Sequence, residues 1–228
     1  TYSFNTNWGI LSGAEMAFYS AKVETDNYTD AFNTKDVDDT PFEFRIKGGG
    51  NLENKQNAVF INIPVMVRYQ TTGELKFYAA AGGKIGIPVK ADSKLGISAI
   101  TTTAYYPDDN IEYTDKPFMG IGTFNNLSEK KKMKLKTSIM LSIELGAKYA
   151  ITKSNDLYAG IYFDYGLNDI NNSKDAGRLI EYNPQLAQGF ELNNSIASVI
   201  TDNDKAIKVI DKVAPMAIGI KIGVSFAL

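Results

Sequence analysis

The sequence predicts an all-β fold: an antiparallel, up-and-down barrel that crosses a membrane with its strands. Three observations carry that expectation. Apolar and polar residues alternate with period two over long runs, tight turns and long connections alternate strictly, and the polar face of the runs is small and sparsely charged. Six such runs of about 13 to 17 residues are visible, against a usual strand length of about 5 to 6.

The first run sets Trp8, Ile10, Ala14, Met16 and Phe18 against Gly9, Gly13, Glu15 and Tyr19, with Leu11 on the wrong side. The second opposes Val59, Ile61, Ile63, Val65, Val67 and Tyr69 to Asn62, Pro64, Met66, Arg68 and Gln70. Between them, Thr25 to Lys55 is a long connection in which Gly48 to Gly50 punctuate a hairpin of Phe42–Lys47 with the residues before Val59. After the tight turn Thr71 to Glu74, Leu75, Phe77, Ala79, Ala81, Ile85, Ile87 and Val89 alternate with Lys76, Tyr78, Gly82, Lys84, Gly86 and Lys90. The long connection Ala91 to Lys136 ends in the lysine run EKKKMKLK. Its Lys132, Lys134 and Lys136 continue the polar parity of the next strand, as a ladder above the apolar zone.

Ile139, Leu141, Ile143, Leu145, Ala147, Tyr149 and Ile151 form the apolar face of the fourth run, opposite Ser138, Ser142, Glu144, Gly146 and Lys148. The turn Lys153 to Asn155 leads to the fifth, where Leu157, Ala159, Ile161, Phe163, Tyr165 and Leu167 oppose Tyr158, Gly160, Tyr162, Asp164 and Gly166. The third long connection, Asp169 to Val213, contains Asn193 to Lys212, whose irregular apolar spacing leaves a short helix and more strand both open. The last run places Ala214, Met216, Ile218, Ile220, Ile222, Val224, Phe226 and Leu228 against Gly219, Lys221, Gly223 and Ser225. No domain boundary interrupts residues 1–228, which form one barrel domain with every short turn at one end and every long loop at the other.

The polar face decides what the apolar face meets. A sheet surface washed by water carries Lys, Glu and Thr in quantity, whereas this one is Gly, Ser, Tyr and Ala with a few charges of both signs. Small residues with pairable charges suit a narrow lumen, so the apolar face is expected to meet lipid. Tyr69 and Tyr149 near the short turns, and Phe163 and Tyr165 toward the long loops, are placed as interfacial aromatics. No apolar stretch reaches the roughly 18 residues of a spanning helix. No signal peptide is visible, which fits either a cytoplasmic protein or a mature or trimmed chain.

Composition removes whole classes of chemistry. With no histidine and no cysteine, imidazole or thiol catalysis, disulfides and the usual zinc, haem and iron–sulfur ligation are closed. A net charge of −2 argues against nucleic acid as a partner. Twenty of the 26 acids fall in the long connections, with Glu24, Asp26, Asp30, Asp36, Asp38 and Asp39 in or beside the first and Asp108, Asp109, Glu112 and Asp115 in the second. Neither string has the spacing of a calcium loop, so solvated, mobile loops with no metal and no cofactor are expected. Glu144 and Asp164 share a parity on adjacent strands, as a glycosidase pair would, but a buried ion-pair network accounts for them with fewer assumptions.

The candidate working residues are the lumen charges. Arg68, Lys76 and Lys148 fall near the short-turn mouth; Glu15, Lys84, Glu144 and Lys221 fall nearer mid-height, with Asp164 beside them. Glu15 and Glu144 are expected to pair with Lys84 or Lys221, either as a static plug or as a gate whose loosening by Glu144→Ala would raise conductance.

INIPVMVRY (Ile61 to Tyr69) followed by LKFYAAAGGKIGI (Leu75 to Ile87) resembles the central strands of the OmpA-like outer-membrane β-barrel family in its Bacteroidetes-type branch. LSIELGAKYAIT (Leu141 to Thr152), DLYAGIYFDYGLNDI (Asp156 to Ile170) and AIGIKIGVSFAL (Ala217 to Leu228) resemble its last three strands. The resemblance implies an eight-stranded barrel whose first hairpin is missing here, in the outer membrane of a Gram-negative bacterium. It also implies a structural, non-enzymatic role, since barrel enzymes similar to this one use a histidine. The alternatives are a small, low-conductance porin and a binding module acting through its long loops. Implied partners are outer-membrane lipid, other envelope proteins and, through a further domain beyond Leu228, peptidoglycan.

Overall fold

The computed structural model describes residues 1–152, 155–172, 177–202 and 205–226. The turn at Lys153 and Ser154 and the closing residues Ala227 and Leu228 lie outside the described residues. No described helix is long and apolar enough to cross a membrane.

The six runs form one antiparallel ladder in chain order: Trp8–Ser12 with Glu15–Thr25, then Leu52–Gln70, Leu75–Tyr106, Ser138–Ala150, Asn155–Gly166 and Met216–Phe226. Every strand pairs with its sequence neighbour, as a meander requires. The first run is interrupted at Gly13 and Ala14 without losing register, since Ser12 faces Val65 and Glu15 faces Asn62. The ladder lapses opposite Pro64, which has no N–H to donate. Leu11, on the wrong parity for the lipid face, lines an interior cavity.

The sheet curls until Lys221 on the last strand lies 3.2 Å from Glu15 on the first. No backbone ladder joins Met216–Phe226 to Trp8–Thr25 among the described residues, so a seam stays open between them. Eight strands are therefore not present in these six-strand walls.

Polarity is inverted relative to a soluble sheet. Asn62, Arg68, Lys84, Ser138, Ser142, Glu144 and Asp164 are buried on the concave face, whereas Ile61, Val65, Phe77, Ile85, Leu141, Ile161 and Ile220 are exposed on the convex one. Tyr69, Tyr149, Phe163 and Tyr165 are also exposed there. From Val59 to Tyr69 the apolar face runs about 33 Å along the strand, which a tilt of about 40° reduces to the roughly 25 Å of a barrel's lipid band.

The long connections are built largely of strands, although most of their acids, Asp26, Asp38, Asp39, Asp108, Asp109, Glu112 and Asp115 among them, are exposed as their spacing suggests, with Asp30 the buried exception. The Leu75–Tyr106 strand continues 32 residues, far past the apolar band, and pairs along its outer half with Pro41–Gly48 and Gly122–Lys132. Pro41–Gly48 in turn pairs with Thr29–Lys35. The predicted hairpin of Phe42–Lys47 with the residues before Val59 does not form. Those residues pair with Glu15–Thr25 and with Leu95 and its neighbours, and Gly48 to Gly50 carry the chain close against Tyr28, Ser98 and Ala99. Asn193 to Lys212 supplies the short 3-10 turn Ser195–Ala197 and the strands Ser198–Asp202 and Lys205–Lys208.

These pieces build a head with its own core: Phe42, Phe44, Leu95, Ile97, Ile100 and Tyr106 pack with Leu179, Ile180, Tyr182, Phe190 and Leu192. Phe42 stacks on Tyr106 at 5.2 Å and meets Tyr182 edge-on at 5.0 Å. One local device lets a single strand serve both regions. Val59 faces Lys90 but Phe60 faces Pro88, so an extra residue bulges at Val89. Inward parity thereby changes from even (Tyr78, Ala80, Lys84) to odd (Ser93, Leu95, Ile97), and it returns to even at Ile100, Thr102, Ala104 and Tyr106. The bulge also corrects the lysine run: Lys130, Lys132, Lys134 and Lys136 are exposed on the outer surface, while Lys131 turns inward and bonds Glu191 and Asn193. Met133 to Thr137 are not in the strand, so the lysines do not share the inward parity that begins at Ser138.

Candidate functional site: the charged interior and its cap

The concave face combines small and large residues that fit across strands. Tyr78 lies opposite Gly146, Tyr162 opposite Gly219 and Tyr158 opposite Gly223. A Cβ on Gly146 would sit 2.7 Å from the Tyr78 ring, and one on Gly223 2.6 Å from the Tyr158 hydroxyl, so the glycines are the space that the rings occupy. The three rings thus lie among the charged side chains of the concave face.

At mid-height five charges and two hydroxyls form one continuous chain. Tyr78 donates to Glu144 at 2.8 Å, and Lys221 bridges Glu144 at 3.1 Å to Glu15 at 3.2 Å. Lys84 bridges Glu15 at 3.0 Å to Asp164 at 2.9 Å, and Ser142 donates to Asp164 at 2.5 Å. Lys84 also faces the Tyr162 ring at 5.3 Å. Charges buried this deeply are tolerated only when each is matched, and here every carboxylate has at least two donors. Glu144 and Asp164 each serve a different lysine, which leaves no free acid and base pair flanking a common space.

The other three candidates occupy the short-turn end and are not joined to that chain by an ion pair among the described residues. Lys76 pairs with Asp156 at 3.4 Å. Lys148 stands over the rings of Tyr78 at 5.6 Å and Tyr158 at 5.9 Å. Arg68 is buried, has no carboxylate partner among the described residues, and donates to the Thr1 hydroxyl at 3.4 Å. Arg68 and Lys148 line a cavity of about 440 Å3 beside the open seam.

A second closure lies at the long-loop end. Asn54 and Gln56, inward on the Leu52–Gln70 strand, bond each other at 3.0 Å. Asn54 donates to Ser93 at 2.7 Å, and Ser195 from the third connection bonds both Asn54, at 2.7 Å, and Gln56, at 2.9 Å. Asp30 anchors the same connection: Arg178 donates to both of its oxygens at 3.2 Å, and the Thr201 amide donates at 2.9 Å. Arg178 also stacks over Phe32 at 4.0 Å. The described residues of the Asp169 to Val213 connection thus form a cap bonded to Asn54, Gln56 and Asp30 at the long-loop end. Asp36, in the head, is pushed up by burial but drawn further down by the Thr40 amide and the Tyr106 hydroxyl. Among the described residues no cluster of acids is arranged to hold a metal.

A lipid-facing apolar band around a buried polar interior is what a bilayer imposes on a spanning sheet. A family model described as outer membrane protein beta-barrel domain matches residues 1–172. The chain belongs to that family. It is an outer-membrane β-barrel protein that crosses with its strands. No curated protein and no solved structure matches the chain.

Sequence reasoning missed the cap. Asn54, Gln56, Ser93 and Ser195 are ordinary loop residues in isolation, and only the fold joins them. A weak signal was present in Ile180-x-Tyr182 and Phe190-x-Leu192, two short alternations inside a connection otherwise rich in polar residues.

Proposed function

We propose that the protein is a non-enzymatic, OmpA-like structural component of a Gram-negative outer membrane, with a lumen closed by side chains at mid-height and by the cap at the long-loop mouth. In the intact barrel, two further strands fill the seam and bring the count to eight, because an open sheet edge does not persist in lipid. The observation that supports the closed-lumen reading is the Tyr78–Glu144–Lys221–Glu15–Lys84–Asp164–Ser142 chain, which spans the bore from the first strand to the last. A static plug predicts that Glu144→Ala lowers the urea midpoint in vesicles while planar-bilayer conductance stays at baseline, since the cap still closes the outer mouth. A stepwise rise in conductance would move the assignment to a small, gated porin.

The folded head favours a second role beside the first. A membrane anchor needs no extramembrane core, so a rigid head over the bore is a platform for another envelope protein. Co-purification after mild extraction, lost when Asp169 to Val213 is replaced by a short turn, is the corresponding test.

A further inference from the structure

The lysines that leave the bore do not scatter over the outer surface. Lys94 lies directly opposite Lys130, and Lys132 opposite Asp92, on adjacent outer strands, with Lys90 next to the bulge. All four lysines are exposed, and Lys134 and Lys136 stand exposed in the same segment. Asp92 is the acid they share: Lys130 reaches it at 2.8 Å and Lys90 at 3.8 Å. Lys94 and Lys132 have no ion-pair partner among the described residues. Glu53, on the next strand, is already engaged by Lys22 and Lys55 at 2.8 Å each. Like charges directly opposite on neighbouring strands repel, so this face carries a local cost that a polyanionic neighbour would offset.

Position identifies that neighbour. Lys90 follows Val89, the last lipid-facing residue of its strand, and Ile139 begins the lipid face just beyond Lys136. Four residues further, Lys94 is about 13 Å along the strand, or about 10 Å higher once the tilt is included. The headgroup layer is about 5 to 8 Å deep on each side of the hydrocarbon, within reach of a lysine side chain from either position.

We propose that Lys90, Lys94, Lys130 and Lys132 form a docking face for the phosphate groups of membrane lipids in the leaflet on the long-loop side. The face fixes the depth of the barrel and ties the head to the bilayer surface. The test refolds the full chain into phosphatidylcholine vesicles with and without phosphatidylglycerol, with heat-modifiable gel migration as the check that each form has inserted. Phosphatidylglycerol is expected to raise the urea midpoint of the wild type by about 0.5 M. The combined Lys90→Gln, Lys94→Gln, Lys130→Gln and Lys132→Gln variant should lose at least half of that rise, and arginine at the same four positions should keep it. A glutamine variant that inserts and keeps the full rise would overturn the proposal. So would inorganic phosphate producing the same rise in phosphatidylcholine alone, which would make the face a free-anion site.

Discussion

Below the Val89 bulge, the Leu75–Tyr106 strand turns Phe77, Ile85 and Ile87 outward and Tyr78 and Lys84 inward; above it, the same strand turns Leu95 and Ile97 inward and Lys94 outward. One backbone therefore serves two solvents. In the lower region the apolar phase lies outside, so the interior is held by ion pairs and hydrogen bonds. In the head water lies outside, and burial of Phe42, Phe44, Ile100 and Phe190 holds the layers together. The difference teaches that alternation is a property of the strand, while its sign is set by the medium at each height.

The two regions should fail independently. Phe44→Ala removes a fully buried ring from the head and is expected to cost about 3 to 5 kcal/mol there, loosening the cap to protease while heat-modifiable migration persists. Simultaneous loss of both signals would show that the head and the barrel are one cooperative unit. Ile143→Lys places a charge on the lipid face near mid-band and should cost about 2 to 4 kcal/mol in vesicles, with the head still protease-resistant. An unchanged urea midpoint would remove Ile143 from the bilayer.

The smallest effect is electrostatic and confined to the outer strands. Hydrogen bonds from Lys22 and then Lys55 hold Glu53 down at about 2, against an ordinary value of 4.5. A depressed carboxylate contributes stability that is complete above 4.5 and is lost as pH falls toward 2, so the urea midpoint should drift slightly downward across that window. Glu53→Gln should reduce the drift, with Asp36 and Asp92 among the groups supplying the remainder; a midpoint that rises on acidification would contradict it.

The strand order, the tight turn after Gln70 and the partners of Glu15 were legible because period two fixes which residues share a face, and the charges on the polar face are few. Parity and height narrow the partners of Glu15 and Glu144 to Lys84 and Lys221, and the structure pairs Glu15 with both and Glu144 with Lys221. The head was not legible for a related reason. Its core residues come from separate connections, each short and interrupted by glycine, proline or acids, so no single window shows the pattern that Phe44, Leu95, Ile180 and Phe190 make together. Asp30 illustrates the point: it belongs to an acidic string read as solvated, yet it is buried against Arg178, 148 residues away.

By itself the sequence determined the all-β class, the six lipid-crossing runs and the absence of histidine and cysteine chemistry, because local alternation and composition need no knowledge of distant contacts. Only the tertiary structure decided where the alternation changes sign, which lysines are exposed and how the long connections bond to the strand ends. Those outcomes depend on the extra residue at Val89, on the second parity change between Ile97 and Ile100, and on partners far apart in the chain, which backbone pairing brings within a few ångströms.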